Sequence, residues 1–224
     1  QPSWAVTTIL VPSSPTISKN DTLGNIVSYQ IAYDSADVDA SPSYAMYTAD
    51  EDSRLTNFPS DNIYISELLS KGWYVNVPDY EGPLGSFGAG VMSGRATLDS
   101  VRAILSAQLA IGDGSFQYAL WGSSGGGLAS GWAAELCVQY APELNFSGVV
   151  LGGAATNFSS IFNAVDGTAA AGLLPAALVG LTSQFPDARN ELIEHLNTDG
   201  PFNATSFLTT ENLTFAEELA VFAG

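Results

Sequence analysis

The chain has 224 residues, 46% of them hydrophobic and 13% charged, which supports one sizeable core and leaves little for a second domain. Six basic residues against 23 acidic ones give a formal charge of -17, so a phosphate backbone or an anionic membrane surface is repelled and nucleic acid is excluded as a partner. The longest apolar run, Ala169 to Leu181, is broken by Gly172, Pro175 and Gly180 and is shorter than the roughly 20 residues of a spanning helix, so no transmembrane segment is expected.

Ala5 to Val11 is a β-branched run closed by Pro12, and Ile26 to Tyr33 alternates apolar and polar positions up to Asp34; both read as strands. Asp61 precedes Ile63, Ile65, Leu68 and Leu69 at helical spacing, and Lys71 with Gly72 closes that helix. Trp73 to Val77 predicts a short strand that Pro78 stops, feeding a loop at Asp79. From Ala89 to Leu109, Val91, Met92, Leu98, Val101, Ile104 and Leu105 fall on one helical face. Phe116 to Trp121, Gly125 to Tyr140 and Phe146 to Leu151 then predict strand, helix and strand.

Regular alternation implies a mainly parallel sheet flanked by helices, with ligands bound beyond the carboxyl ends of the strands, where residues 79 and 122–125 fall. Beyond residue 156 the chain turns to alanine-rich stretches with helical spacing. Residues 1–156 are therefore expected to form part of a core, and residues 157–224 a helical cap or lid.

Gly122-Ser123-Ser124-Gly125-Gly126 satisfies Gly-x-Ser-x-Gly, with a strand before it and an amphipathic helix after it. In such a turn the central serine projects above the sheet, and glycines two residues to either side avoid collisions across the tight bend. Ser124 is the expected nucleophile; five letters in a glycine- and serine-rich chain would be weak without that context. The backbone N–H of Gly125, in the first turn of the helix, is a free donor for an oxyanion. A second donor has to come from another strand-end loop, and Asp79 in Pro78-Asp79-Tyr80-Glu81-Gly82 is the candidate, set against a plain helix-capping or turn aspartate.

Asn-x-Ser or Asn-x-Thr acceptors occur at Asn20, Asn145, Asn157, Asn203 and Asn212, more than chance supplies, and point to a secreted, extracellular glycoprotein. No signal peptide is legible at Gln1, so the chain reads as already processed. Cys137 is alone and reads as a buried helical thiol, open to pairing only with another chain.

Several stretches together resemble the fungal secretory lipases, an α/β-hydrolase family with a helical cap. They are Ala5-Val6-Thr7-Thr8-Ile9-Leu10-Val11-Pro12, Pro42-Ser43-Tyr44, Pro78-Asp79-Tyr80-Glu81-Gly82, Gly122-Ser123-Ser124-Gly125-Gly126 and Tyr140-Ala141-Pro142-Glu143-Leu144-Asn145, followed by Gly152-Gly153. The resemblance implies Ser124 as nucleophile, Asp79 and Gly125 as the oxyanion hole, hydrolysis of triacylglycerols and other esters, an acyl tunnel in the cap, and neither cofactor nor metal. It also places the catalytic Asp and His beyond the cap, past residue 224.

The one histidine, His195, lies in Glu191-Leu192-Ile193-Glu194-His195-Leu196, which reads as the interior of a cap helix rather than a mobile catalytic loop. A serine without an adjacent base is a poor nucleophile, so the chain reads as a fragment of the full fold, with acid and base on a second polypeptide from the same precursor. The alternatives are an esterase for small or acylated-metabolite esters and an inactive hydrolase-fold protein that only retains lipid.

Overall fold

The computed structural model describes residues 3–15, 23–47, 54–55, 58–107, 115–201 and 203–223. Five strands, β1 (Thr7–Leu10), β2 (Leu23–Gln30), β3 (Tyr74–Pro78), β4 (Ser115–Ser123) and β5 (Gly148–Gly152), form one sheet in the order β1-β3-β2-β4-β5. β1 pairs antiparallel with β3, and the other three pairs are parallel. Helices α1 (Pro42–Tyr47), α2 (Phe58–Ser70), α3 (Gly90–Ser106) and α4 (Gly125–Tyr140) connect the strands.

Every residue of β3 is buried, as expected of a strand covered on both faces. On one face Val27, Tyr29, Val75 and Val77 pack with Ile65 and Leu68 of α2. On the other, Leu98 and Val101 of α3 meet Leu120 of β4 and Ala133 of α4. Each such side chain, fully withdrawn from water, contributes about 1.5–3 kcal/mol before the cost of ordering it.

Polar side chains between the layers are paired with one another. Thr7 Oγ1 donates to Asn76 Oδ1 (2.7 Å), and Asn76 Nδ2 donates to Ser28 Oγ (3.0 Å) and Ser100 Oγ (2.8 Å). Gln30 Nε2 donates to Ser28 Oγ (2.7 Å) and Gln30 Oε1 accepts from Ser130 Oγ (2.6 Å). This chain of bonds ties β1, β3, β2, α3 and α4 together, and satisfied buried groups of this kind fix register more than they add net stability.

The expected elements are present with shifted ends. β2 stops at Gln30, so residues 31–33, read as strand, instead form a buried irregular segment. Tyr80 Oη donates to the Ile31 carbonyl (2.7 Å), just past the last residue of the strand. The residues 108 and 109 expected to end α3 lie outside the described residues.

After β5 come helices α5 (Phe158–Val165), α6 (Leu173–Thr182), α7 (Pro186–His195), α8 (Ala204–Leu208) and α9 (Phe215–Val221), with no strand among the described residues. Asn157, Asn203 and Thr214 cap α5, α8 and α9 through their side chains, the last in a reciprocal capping box with Glu217. These helices dock on the core by close backbone approach: a β-carbon at Gly180 would sit 2.5 Å from the Phe87 nitrogen. Ser35 Oγ also donates to the Leu213 carbonyl (2.6 Å) across 178 residues of chain.

Candidate active site

β4 ends at Ser123 and α4 begins at Gly125, leaving Ser124 alone between strand and helix with φ 52° and ψ -122°. A non-glycine residue at positive φ carries strain that the surroundings must impose. Here Ser124 N donates to the Gly152 carbonyl (2.8 Å), and its own carbonyl accepts from Leu128 (2.9 Å), clamping the bend from both sides. The outer glycines are sterically required: a β-carbon at Gly122 would fall 2.2 Å from the Gly126 oxygen, and one at Gly126 would fall 2.0 Å from the Gln30 oxygen. Ser124 is left exposed above the carboxyl edge of the sheet.

The side chain facing Ser124 is Asp34, which the sequence reading used only to mark the end of a strand. Asp34 is buried, has φ 43°, and lies in the turn after β2. Ser124 Oγ donates to its Oδ2 at 3.3 Å. Oδ1 is buried without a well-formed hydrogen bond and lies over Gly125, where a β-carbon would come within 1.8 Å of it. The site thus holds a buried carboxyl group and the N–H of the first residue of α4 side by side beneath the serine oxygen.

Burial pushes the Asp34 carboxyl up to about 6; the Ser124 hydroxyl and the Gly125 N–H oppose the rise, and the charge of Asp61 adds to it. Two other carboxyl groups are fully buried nearby, Glu81 in the loop after β3 and Glu218 on α9; Glu81 has no hydrogen-bonded oxygen among the described residues, and Glu218 has only the weak opposition of Ser35 and the Ala36 N–H. Desolvation first, and then the charge of Asp34, raises both, Glu218 to about 9. At neutral pH Glu218 is therefore held as a neutral acid.

Asp79, the expected second donor, has its hydrogen-bonding groups engaged by other partners. Its N–H donates to the Val6 carbonyl (2.9 Å), and its carboxylate accepts from Ser43 N (2.8 Å) and Ser43 Oγ (2.5 Å), so neither is left for an oxyanion at Ser124. Asp79 caps the first turn of α1 from a distance, the plainer of the two readings its sequence allowed. The loop whose side chain meets Ser124 follows β2 rather than β3.

His195 is the last residue of α7, not an interior one, because Leu196 is already extended (ψ 146°). Its exposed ring Nδ1 lies 2.8 Å from the Glu191 carbonyl oxygen on the same helix. Cys137 is in α4 but only half-buried, its Sγ against the carbonyls of Ala141 (3.5 Å) and Leu144 (3.6 Å). Of the glycosylation candidates, Asn145, Asn157 and Asn212 are exposed, Asn203 is half-buried, and Asn20 lies outside the described residues.

A strained serine between a parallel strand and a helix is the geometry shared by serine hydrolases of α/β topology. The family model for secretory lipases matches residues 52–221. The chain belongs to the secretory lipase family. A trichothecene C-3 esterase of Fusarium sporotrichioides is 46% identical over all of this chain and half of its own length. Lipase 1 of Candida albicans is 44% identical over 86% of this chain and 40% of its own length. Among solved structures, Candida antarctica lipase A superposes with a TM-score of 0.82 at 30% identity, covering 98% of this chain and 50% of that one. The fold of this secretory lipase chain is therefore that of an α/β-hydrolase, and the chain spans about half the length of the curated relatives it matches. No helix among its described residues is long and apolar enough to cross a membrane.

Proposed function

We propose that these residues belong to a secreted, extracellular serine hydrolase that cleaves carboxylic esters through an acyl-enzyme on Ser124. The observation that carries this reading is Ser124 itself, held at φ 52° between β4 and α4 with a donor N–H at Gly125 beneath it. Ser124 Oγ attacks the ester carbonyl, the alcohol leaves, and water then releases the acid. The developing oxyanion is held by the Gly125 N–H and by protonated Asp34, which takes the place first expected of Asp79. Residues 157–224 serve as a cap over the site.

The general base and its orienting acid come from a segment outside residues 1–224. Among the described residues the one imidazole is exposed on α7 with its Nδ1 against Glu191 of the same helix, and the relatives are about twice as long, enough to carry both groups in one polypeptide. A second polypeptide cleaved from the same precursor is the alternative arrangement, and intact mass under denaturing conditions distinguishes the two.

Triacylglycerols are the substrate class suggested by the Candida lipases. A second reading, a small ester of an acylated metabolite, is favoured by the trichothecene esterases, which match all of this chain at 46% and 38% identity. Rates on p-nitrophenyl esters of increasing acyl length separate them: a lipase prefers long chains and a metabolite esterase prefers acetyl. A fluorophosphonate probe tests the reading as a whole. Covalent label on Ser124 that is lost in Ser124→Ala is expected; absence of label in the full-length protein leaves an inactive lipid-binding homologue.

A further inference from the structure

A cavity of about 880 Å³ runs along the outer groove between α3 and α4 toward the C-terminal helices. Ser124 does not line it, so its occupancy is independent of the chemistry proposed there. Its floor is built by small residues. β-carbons at Gly90 and Gly94 would fall 2.0 Å from Trp132 Nε1 and 2.7 Å from the Trp132 carbonyl carbon, so glycine at both positions is what lets the indole settle between the helices. Met92, Leu128, Phe158 and Phe185 supply further apolar wall. The volume lies within the range of pockets that enclose small molecules.

One side of this apolar groove carries Arg95, whose guanidinium lies 5.2 Å from the centre of the Tyr140 ring. In a chain of charge -17, cations are quickly claimed, and the described ones show it. Arg54 is paired with Asp37 and Glu217, Lys71 with Glu67, Arg102 with Asp99 and Glu143, and Arg189 with Glu211. Arg95 alone among them has no carboxylate within ion-pair distance among the described residues. The carboxylate that shares its cavity, Asp99, is already held by Arg102 Nη1 (2.7 Å) and by Tyr140 Oη (2.7 Å). Arg102 lies over the Tyr140 ring as well, at 5.0 Å.

We infer that this groove is a binding site for an amphipathic monoanion, a long-chain carboxylate whose head group pairs with Arg95 and whose alkyl chain lies over Trp132. A planar guanidinium matches a carboxylate in two parallel hydrogen bonds. A single available cation among the described residues of so acidic a protein selects a single negative charge, since a dianion would gain one pairing and meet the field of the rest. The apolar wall supplies the remaining affinity by withdrawing the chain from water.

Calorimetric titration of the protein with dodecanoate below its micellar concentration, with dodecanol as the neutral counterpart, tests the assignment. Saturable binding of dodecanoate is expected, weakened about tenfold or more by Arg95→Gln, with dodecanol affinity unchanged. Arg95→Lys is expected to lie between, because an ammonium retains the charge and loses the paired geometry. Arg95 is exposed, so the variants are expected to melt as the parent does, and the comparison reads binding rather than folding. Equal dodecanoate affinity in Arg95→Gln, equal affinity of the parent for acid and alcohol, or no saturable binding at all overturns it. Label at Ser124 by a fluorophosphonate is read separately and is unaffected by any of these outcomes.

Discussion

Asp34 places two roles in competition at one residue, because a carboxyl group that accepts from the Ser124 hydroxyl could in principle be a base or, once protonated, a donor. Burial favours the donor, holding the proton against the pull of the Gly125 N–H and the Ser124 hydroxyl toward the anion. Asn in its place separates the two: Asn donates at every pH and cannot accept a proton. In the full-length protein, kcat/KM is expected to fall as pH rises above about 6, where Asp34 loses its proton, and that limb is expected to vanish in Asp34→Asn. Asp34→Ala is expected to lower kcat by about 10²–10³, the usual cost of one oxyanion donor. If Asp34→Asn is as inactive as Asp34→Ala, Asp34 is a base and the donor reading fails. Ser124 and Gly125 were legible in five letters because the elbow's steric demands act within one turn. Asp34 was not, because its neighbour is 90 residues away and its left-handed φ leaves no pattern. The usable signal was topological: it follows shortly after a strand that pairs directly with the strand leading to Ser124.

At the level of elements, strand and helix order could be read from periodicity, whereas the ends of elements depended on tertiary partners. β2 stops where Tyr80 takes the Ile31 carbonyl, and α1 starts where Asp79 reaches its Ser43 N–H; both partners come from the loop after β3, remote in sequence. The same remoteness hides the Ser43 contact of Asp79 from the motif that contains it. Asp79→Ala is therefore expected to destabilise the fold by about 0.5–2 kcal/mol, the cost of a lost cap, while fluorophosphonate labelling of Ser124 in the folded protein keeps its rate. A labelling rate reduced 10²-fold at unchanged stability would return Asp79 to the oxyanion hole. Ser130→Ala probes the interior bonds in the same way. It leaves Gln30 Oε1 buried without its donor, and a loss of about 1–3 kcal/mol in denaturant titration is expected. Asn157 and Asn203 cap their helices through Oδ1, whereas a glycan attaches at Nδ2, so capping and glycosylation are compatible at those positions.

For the molecule as a whole, the buried acids set a dependence on pH opposite to that of a protein stabilised by salt bridges. A carboxyl group whose folded pKa is raised binds its proton more tightly in the native state, so its contribution is complete below the ordinary carboxylate range and is lost as pH rises through the folded value. For Asp34, raised from 3.8 to about 6, the loss amounts to about 3 kcal/mol. Glu218, raised from 4.5 to about 9, continues the decline across the neutral range. Melting temperature is therefore expected to be highest at about pH 4 or below and to fall steadily toward pH 9. Glu218→Gln, neutral at every pH, is expected to flatten the slope above pH 5 without raising the acid-side maximum. A melting temperature that climbs from pH 5 to pH 8, or a slope unchanged in Glu218→Gln, would show that α9 lifts away from Asp34 and lets the acid meet water.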